Sequence, residues 1–296
     1  MEKNNKVIIK VGGGLGNQLF CYAIYRFWEL KGINVYFDIK DPYVNRIYIK
    51  ISEANSIFRL QEYFPNSQIK LINNYDYEDE YYEEPWDRFE FFEKINAKAN
   101  LLIQKGWFFL YKPAYTIRDL LIKELAFTKK LPECVEELLS NINNTHSVSI
   151  HVRRGDYIMP QYYYKVGYVC TLDYYKNTYD YMIEQYSDLE FFVFTNDPEW
   201  VRVNFDFIGN YNIIDTSNFD LSSYYDLFLM SKCKHNIIAN STFSWWAAFF
   251  NQNNHKIVIT PLEFENQYIT IDDICPPDWI RVSSMRQQFF KNEYIY

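Results

Sequence analysis

The 296-residue chain is short of positive charge: 30 Lys and Arg stand against 38 Asp and Glu, a formal net charge of −8 at pH 7. A broad nucleic-acid face needs clustered cations to meet the phosphates, so that class of partner is excluded and any anion must be gripped locally. Cysteine is sparse as well. Cys21, Cys134, Cys170, Cys233 and Cys275 are scattered, odd in number and form no C-x-x-C pair, which fits a reducing compartment better than a disulfide framework. The four histidines, His146, His151, His235 and His255, lack zinc spacing, and no two aspartates stand two apart. The Asp-x-Asp pair that holds a divalent ion against a diphosphate is therefore missing. No apolar run is long enough for a signal peptide or a membrane-spanning helix. The expectation is a cytoplasmic protein without metal or cofactor, with peripheral contact at the inner face of a membrane left open.

What the chain does have begins with a short apolar strand at 7–11, followed by Gly12-Gly13-Gly14-Leu15-Gly16-Asn17-Gln18. Leu19, Tyr22, Ala23, Arg26, Phe27 and Leu30 then recur at helical spacing until Gly32, and 33–38 reads as the next strand. This is the opening of a doubly wound unit with a glycine loop aimed at a crevice. No frame completes G-x-G-x-x-G, since counting from Gly12 ends on Asn17 and counting from Gly14 ends on Leu19; G-K-[ST] is absent too. What survives is a close backbone approach near Gly14, with the amides of Asn17 and Gln18 beside it.

Residues 75–92 form a run of acids and aromatics that suits an exposed segment, or else a sugar-stacking rim around Tyr82, Trp86 and Arg88. Residues 106–111 read as a buried strand, 117–125 and 131–139 as helices, and 141–145 as a polar joint. The joint divides an N-terminal domain, 1–145, from a C-terminal one, 146–296. In the second half, strands at 147–150, 189–194, 211–215, 236–239 and 256–260 alternate with helices capped or opened at Thr171, Asp197-Pro198, Leu221 and Asn240. Regular alternation of this kind predicts an α/β fold with a second parallel sheet.

Two stretches carry chemistry. His151-Val152-Arg153-Arg154-Gly155-Asp156-Tyr157 follows the strand at 147–150. Two arginines at a strand end cannot both enter a core, and a guanidinium facing a cleft grips phosphate in two-pronged fashion. Asp156 can brace an arginine or move a proton; the plainer alternative is a surface Arg–Asp pair. At Asn240-Ser241-Thr242-Phe243-Ser244 a strand-to-helix turn leaves backbone N–H groups free, with hydroxyls of Ser241, Thr242 and Ser244 to add and Phe243 to pack beneath. Simple helix capping is its alternative. Asn196 and Asp197, at the carboxyl end of a strand, are candidates for base or ribose contact, or for capping.

Three blocks, residues 13–20, 151–157 and 240–247, together resemble the signature blocks of the α-1,2-fucosyltransferases, glycosyltransferase family eleven. The resemblance implies a GT-B-like fold of two Rossmann-like domains facing across a cleft. It also implies GDP-fucose as donor, held mainly by the C-terminal domain, and metal-free inverting transfer to the 2-hydroxyl of a galactoside. By the same resemblance Arg153 grips the diphosphate, Arg154 and Asp156 shape the site, and Ser241 to Ser244 cradle the phosphates. Asn17 and Gln18 meet the sugar end from the other domain. Read from the residues themselves, the first choice of general base is Asp156 and the second His151, since each moves a proton near neutral pH only where its surroundings tune it. A lipid-linked acceptor would bring the enzyme to the membrane surface. The chain departs from its relatives at Phe108-Phe109-Leu110-Tyr111-Lys112-Pro113, on the acceptor side. Two rivals remain: a nicotinamide-dependent oxidoreductase using Asp38, and a carbohydrate-binding protein without catalysis.

Overall fold

The computed structural model describes residues 6–39, 58–72, 81–82, 101–103, 109–159, 169–264 and 270–284. Two parallel sheets organise them, which is the α/β, GT-B-like class expected from the sequence. In the first, β1 (Val7–Lys10) lies between β2 (Val35–Asp38) and β4 (Leu101–Ile103), with β3 (Tyr81–Tyr82) outside β4. Helix α1 (Leu15–Leu30) crosses from β1 to β2 and α2 (Leu60–Tyr63) follows. Three helices then lead to the second sheet: α3 (Tyr111–Thr116), α4 (Arg118–Glu124) and α5 (Glu133–Asn144).

The second sheet begins with β5 (His146–Val152). It continues through α6 (Leu172–Gln185), β6 (Leu189–Thr195), α7 (Pro198–Asn204), β7 (Tyr211–Ile214) and α8 (Ser222–Lys232). Then come β8 (His235–Ile237), α9 (Thr242–Phe250), β9 (Val258–Pro261), α10 (Ile271–Ile274) and β10 (Ile280–Val282). Its strand order is β10-β9-β8-β5-β6-β7. The chain therefore runs outward from β5 to β7, returns, and lays β8 on the opposite side of β5. Open parallel sheets bind ligands where the strand order reverses in this way, and here that point is between the carboxyl ends of β5 and β8.

Burial on both faces explains why β6 reads as a nearly continuous apolar run; β5, His-Ser-Val-Ser-Ile-His-Val, alternates in sequence yet is buried at every position after His146. Helix α9, Thr-Phe-Ser-Trp-Trp-Ala-Ala-Phe-Phe, is apolar almost all round and accordingly buried on nearly every side. Phe20 of α1 lies 4.5 Å from Trp245 and 5.2 Å from Trp246 between ring centroids, so one hydrophobic core continues from the first sheet's helix into the second sheet's.

Two expectations are corrected. Tyr111 opens a helix and does not end a strand, because Pro113 falls in its first turn, where a missing N–H costs nothing; residues 104–108 lie outside those described. The polar joint is the last turn of α5. Ile142 is buried there while Asn141, Asn143 and Asn144 face solvent, so the turn is amphipathic, and Thr145 alone links α5 to β5. The rim at Tyr82, Trp86 and Arg88 lies outside the described side chains. Among the described residues no helix is long and apolar enough to cross a membrane.

Candidate active site

The arginine block leaves β5 through a 3-10 turn, Gly155–Ile158. Gly155 holds φ at +27°, and a Cβ there would meet Asn196 Nδ2 at 2.2 Å. Asn196 fits that space because its Oδ1 accepts the backbone N–H of Arg154 at 2.9 Å, tying the end of β6 to the end of β5. Arg154 is gripped from two sides. Its Nε donates to Asp197 Oδ2 at 3.1 Å and its guanidinium lies 4.1 Å from the Trp200 ring centroid. The other oxygen of Asp197 accepts from Trp200 N at 3.1 Å and caps α7. The brace of Arg154 is thus Asp197; the side chain of Asp156 lies outside those described. Arg153 sits 5.2 Å over the Tyr157 ring.

His151 is the last but one residue of β5 and is buried, its ring 5.8 Å from that of Phe243. Burial first, and the nearby Arg153 charge second, push its pKa down to about 3. It is neutral at pH 7 and, in these surroundings, a weak base. Its Nδ1 has no hydrogen-bond partner among the described residues.

The second block lies just past β8. Ser241 caps α9, its hydroxyl accepting from Phe243 N at 3.4 Å. Ser244 is fully buried and donates to Ser241 O at 3.3 Å, and Asn240, also buried, accepts from Cys170 Sγ at 3.5 Å. Thr242 reaches across to the first sheet, donating from Oγ1 to Asn17 Oδ1 at 2.7 Å. Beside that bond, a Cβ on Gly16 would stand 2.5 Å from Phe243 N and 2.6 Å from both Thr242 C and Thr242 Oγ1. Only a glycine lets the amino ends of α1 and α9 come this close. Both ends carry the partial positive charge of a helix amino terminus.

Gly14 caps α1, its carbonyl accepting from Asn17 N and Gln18 N at 3.0 and 3.1 Å. Gln18 is 1 % exposed. Its Nε2 donates to Gly13 O at 3.0 Å and its Oε1 accepts from Arg59 N at 3.1 Å, so the amide braces the glycine loop from within.

Three features escaped the sequence reading. Lys256 Nζ donates to Ala248 O and Asn251 O at 2.6 and 2.7 Å, and Arg118 donates to Phe249 O and Asn251 O at 3.1 and 3.4 Å. Two cations thus cover the negative end of α9 and leave its positive end facing the crevice uncompensated. Burial, aided by Arg118, pulls Lys256 down to about 8. Trp200, the platform under Arg154, lies 46 residues after it in the chain and gave no local signal. Past the end of β7, burial with a smaller push from Asp215 raises Asp226 to about 7, against the hydroxyl of Thr216, which donates to it at 2.7 Å. Among the described residues no three His, Cys, Asp or Glu side chains gather to hold a metal ion.

A sequence profile described as Glycosyl transferase family 11 matches residues 2–283. An Alpha-1,2-colitosyltransferase of Escherichia coli is 28% identical over 304 aligned positions, covering 93% of this chain and 98% of that protein. The O-antigen biosynthesis glycosyltransferase WbnK of Escherichia coli is 28% identical over 288, covering 85% and 92%. The Galactoside alpha-(1,2)-fucosyltransferase 1 of Saimiri boliviensis boliviensis is 33% identical over 104, which is 34% of this chain and 28% of that one. Among solved structures, fucosyltransferase NodZ from Bradyrhizobium superposes with a TM-score of 0.47 at 12% identity, covering 83% of this chain and 93% of its own.

Proposed function

This chain belongs to glycosyl transferase family 11, and from that premise we propose that it moves L-fucose from GDP-fucose to the 2-hydroxyl of a terminal galactoside, with inversion and without a metal ion. The observation that carries the reading is the meeting of two helix amino ends, at Gly16 and Thr242, beside a reversal of strand order flanked by Arg153 and Arg154. A diphosphate leaving a sugar develops negative charge on its terminal oxygen. Preorganised N–H groups and a guanidinium there stabilise the transition state more than the ground state, which is what lowers a barrier.

In this mechanism the acceptor hydroxyl attacks C1 of fucose as the C1–O bond to the β-phosphate breaks. The bonding pair leaves with GDP, where Arg153 and the N–H groups at the head of α9 receive it. The hydroxyl proton goes to a base, for which Asp156 is the first choice; His151, buried and with its pKa pushed down to about 3, is the weaker candidate. Asp197 and Trp200 hold Arg154 so that it shapes the pocket at small entropic cost. Asn17 reaches the same point from the first sheet. Similarity to an O-antigen transferase supports an acceptor on a surface-polysaccharide precursor, which if lipid-linked would bring the enzyme to a membrane surface.

A second donor has a specific observation in its favour. The similarity to a colitosyltransferase spans 93% of the chain, and colitose differs from fucose only in lacking the 3-hydroxyl. Thermal shifts with GDP, UDP and NAD test the nucleotide first. GDP alone should raise the melting temperature, since a ligand at 100 times its Kd adds about 2.7 kcal/mol. Turnover with GDP-fucose and GDP-colitose over a panel of galactosides, with the linkage fixed by NMR, then decides the sugar and its position. No stabilisation by GDP defeats the proposal; faster turnover with GDP-colitose replaces fucose within it.

A further inference from the structure

The ladder between β5 and β8 runs from Val148 opposite His235 to Ile150 opposite Ile237 and then stops. Beyond it the two strands part, and the parting makes the crevice between the arginine block and α9. The next carbonyl of β5 in line, that of His151, has left this ladder; the carbonyl of Ile238 faces β9, since its own N–H donates to Ile259 O at 2.9 Å, and there Pro261 has no N–H to give it. Buried carbonyls require donors.

Two consecutive tyrosines in the first turn of α6 supply them. Tyr175 donates its hydroxyl to His151 O at 3.1 Å, and Tyr174 donates to Ile238 O at 2.6 Å, with Ile259 O at 3.4 Å. The rings meet edge to face at 5.1 Å and are almost completely buried, at 0% and 1% exposure. Thr171 fixes this turn by accepting from Tyr174 N at 3.3 Å, and Cys170 just before it touches Asn240. A residue needed only to fill the core could be Phe. Here two hydroxyls fall on the carbonyl two residues before Arg153 and on the one two residues before Asn240. Burial keeps both phenols far above their ordinary pKa, so each remains a donor at any working pH.

We propose that Tyr174 and Tyr175 are positioning residues that set the spacing of the two strand ends, and with it the distance from Arg153 to the amino end of α9. Neither is assigned a contact with substrate. The inference rests on the reading of this crevice as the diphosphate site.

The test compares Tyr174→Phe, Tyr175→Phe and the double variant with Met182→Leu, which perturbs the same helix and core without touching either carbonyl. For each, the GDP-induced thermal shift, kcat and acceptor KM are measured well below the melting temperature. Each Phe variant should lose kcat by about 10- to 100-fold, the scale of a displacement of up to an ångström, with acceptor KM unchanged. The GDP shift should shrink in parallel. The double variant should lose less than the product of the singles, because releasing one strand end already frees the spacing. Met182→Leu should lower the melting temperature and leave kcat intact. Phe variants with wild-type kcat and GDP shift overturn the inference, as does a control that loses kcat to the same extent. If the double variant does not fold, the singles decide. A wild-type protein that GDP does not stabilise overturns the donor reading and this inference together; wild-type stabilisation with unaltered Phe variants overturns this inference alone.

Discussion

Arg154 is locked between the Asp197 carboxylate and the Trp200 ring, whereas Arg153 lies over Tyr157. A guanidinium already committed to a carboxylate has less to offer a diphosphate, so Arg154 is read as shaping the site, and the diphosphate contact proposed above is tested at Arg153. Arg153→Ala should cut kcat by about 10²–10³, the range for removal of one preorganised donor, with the melting temperature little changed. Steady-state assays beside a thermal melt check both halves, and a folded variant with normal turnover defeats the assignment. Asp226 gives a prediction in stability. Its carboxyl is held up to about 7, so between the ordinary carboxylate range and that value the native chain keeps a proton that the unfolded chain has lost. Its contribution is therefore full in acid and declines as pH rises toward 7. Asp226→Asn should remove that decline: denaturant midpoints of wild type and variant should separate between pH 5 and pH 8, with the variant relatively more stable at the higher pH. Parallel curves would show that Asp226 does not titrate there.

At the scale of elements, the site depends on α1 and α9 meeting head to head. The blocks at 13–20 and 240–247 are both legible in the sequence as glycine loop and strand-to-helix turn, because caps and turns are short-range features. That they meet is not legible: Thr242 and Asn17 are separated by 225 positions. Gly16 shows the difference. In the sequence it is one more glycine in a loop; in the structure it faces the backbone of Thr242 and Phe243 at distances no Cβ can occupy. Gly16→Ala must push the two helices apart, at a cost of about 1–3 kcal/mol for an overpacked contact. Activity should fall with it, since the converging N–H groups separate. Chemical denaturation and turnover measure the two effects, and a variant as stable and active as wild type would mean that the helices do not rely on this contact.

For the whole molecule, the first half covers a helix of the second. Phe20 packs on Trp245 and Trp246, Tyr115 on Phe249, and Phe64 and Phe127 on Phe250. Each such side chain contributes about 1.5–3 kcal/mol when fully buried. Residues 146–296 expressed alone should therefore expose the apolar side of α9, bind hydrophobic dyes and lack a sharp thermal transition, despite carrying an entire parallel sheet. A soluble fragment with cooperative melting would show instead that the boundary at 145 separates independent folding units.

Alternation of apolar strands and amphipathic helices determined the α/β class, and local spacing determined the three motif blocks. Both are properties of a few consecutive residues, written wherever the chain must bury one face and expose another. Tertiary structure alone decided that Asp197 holds Arg154, that Lys256 and Arg118 close the far end of α9, and that Tyr174 and Tyr175 take up carbonyls the sheet leaves without a donor. It also decided where the polar run at 141–144 ends, because buried Ile142 draws it into a helix. Each of these depends on which strands become neighbours. That order reverses at β5, so residues far apart in sequence share a crevice that no local pattern encodes.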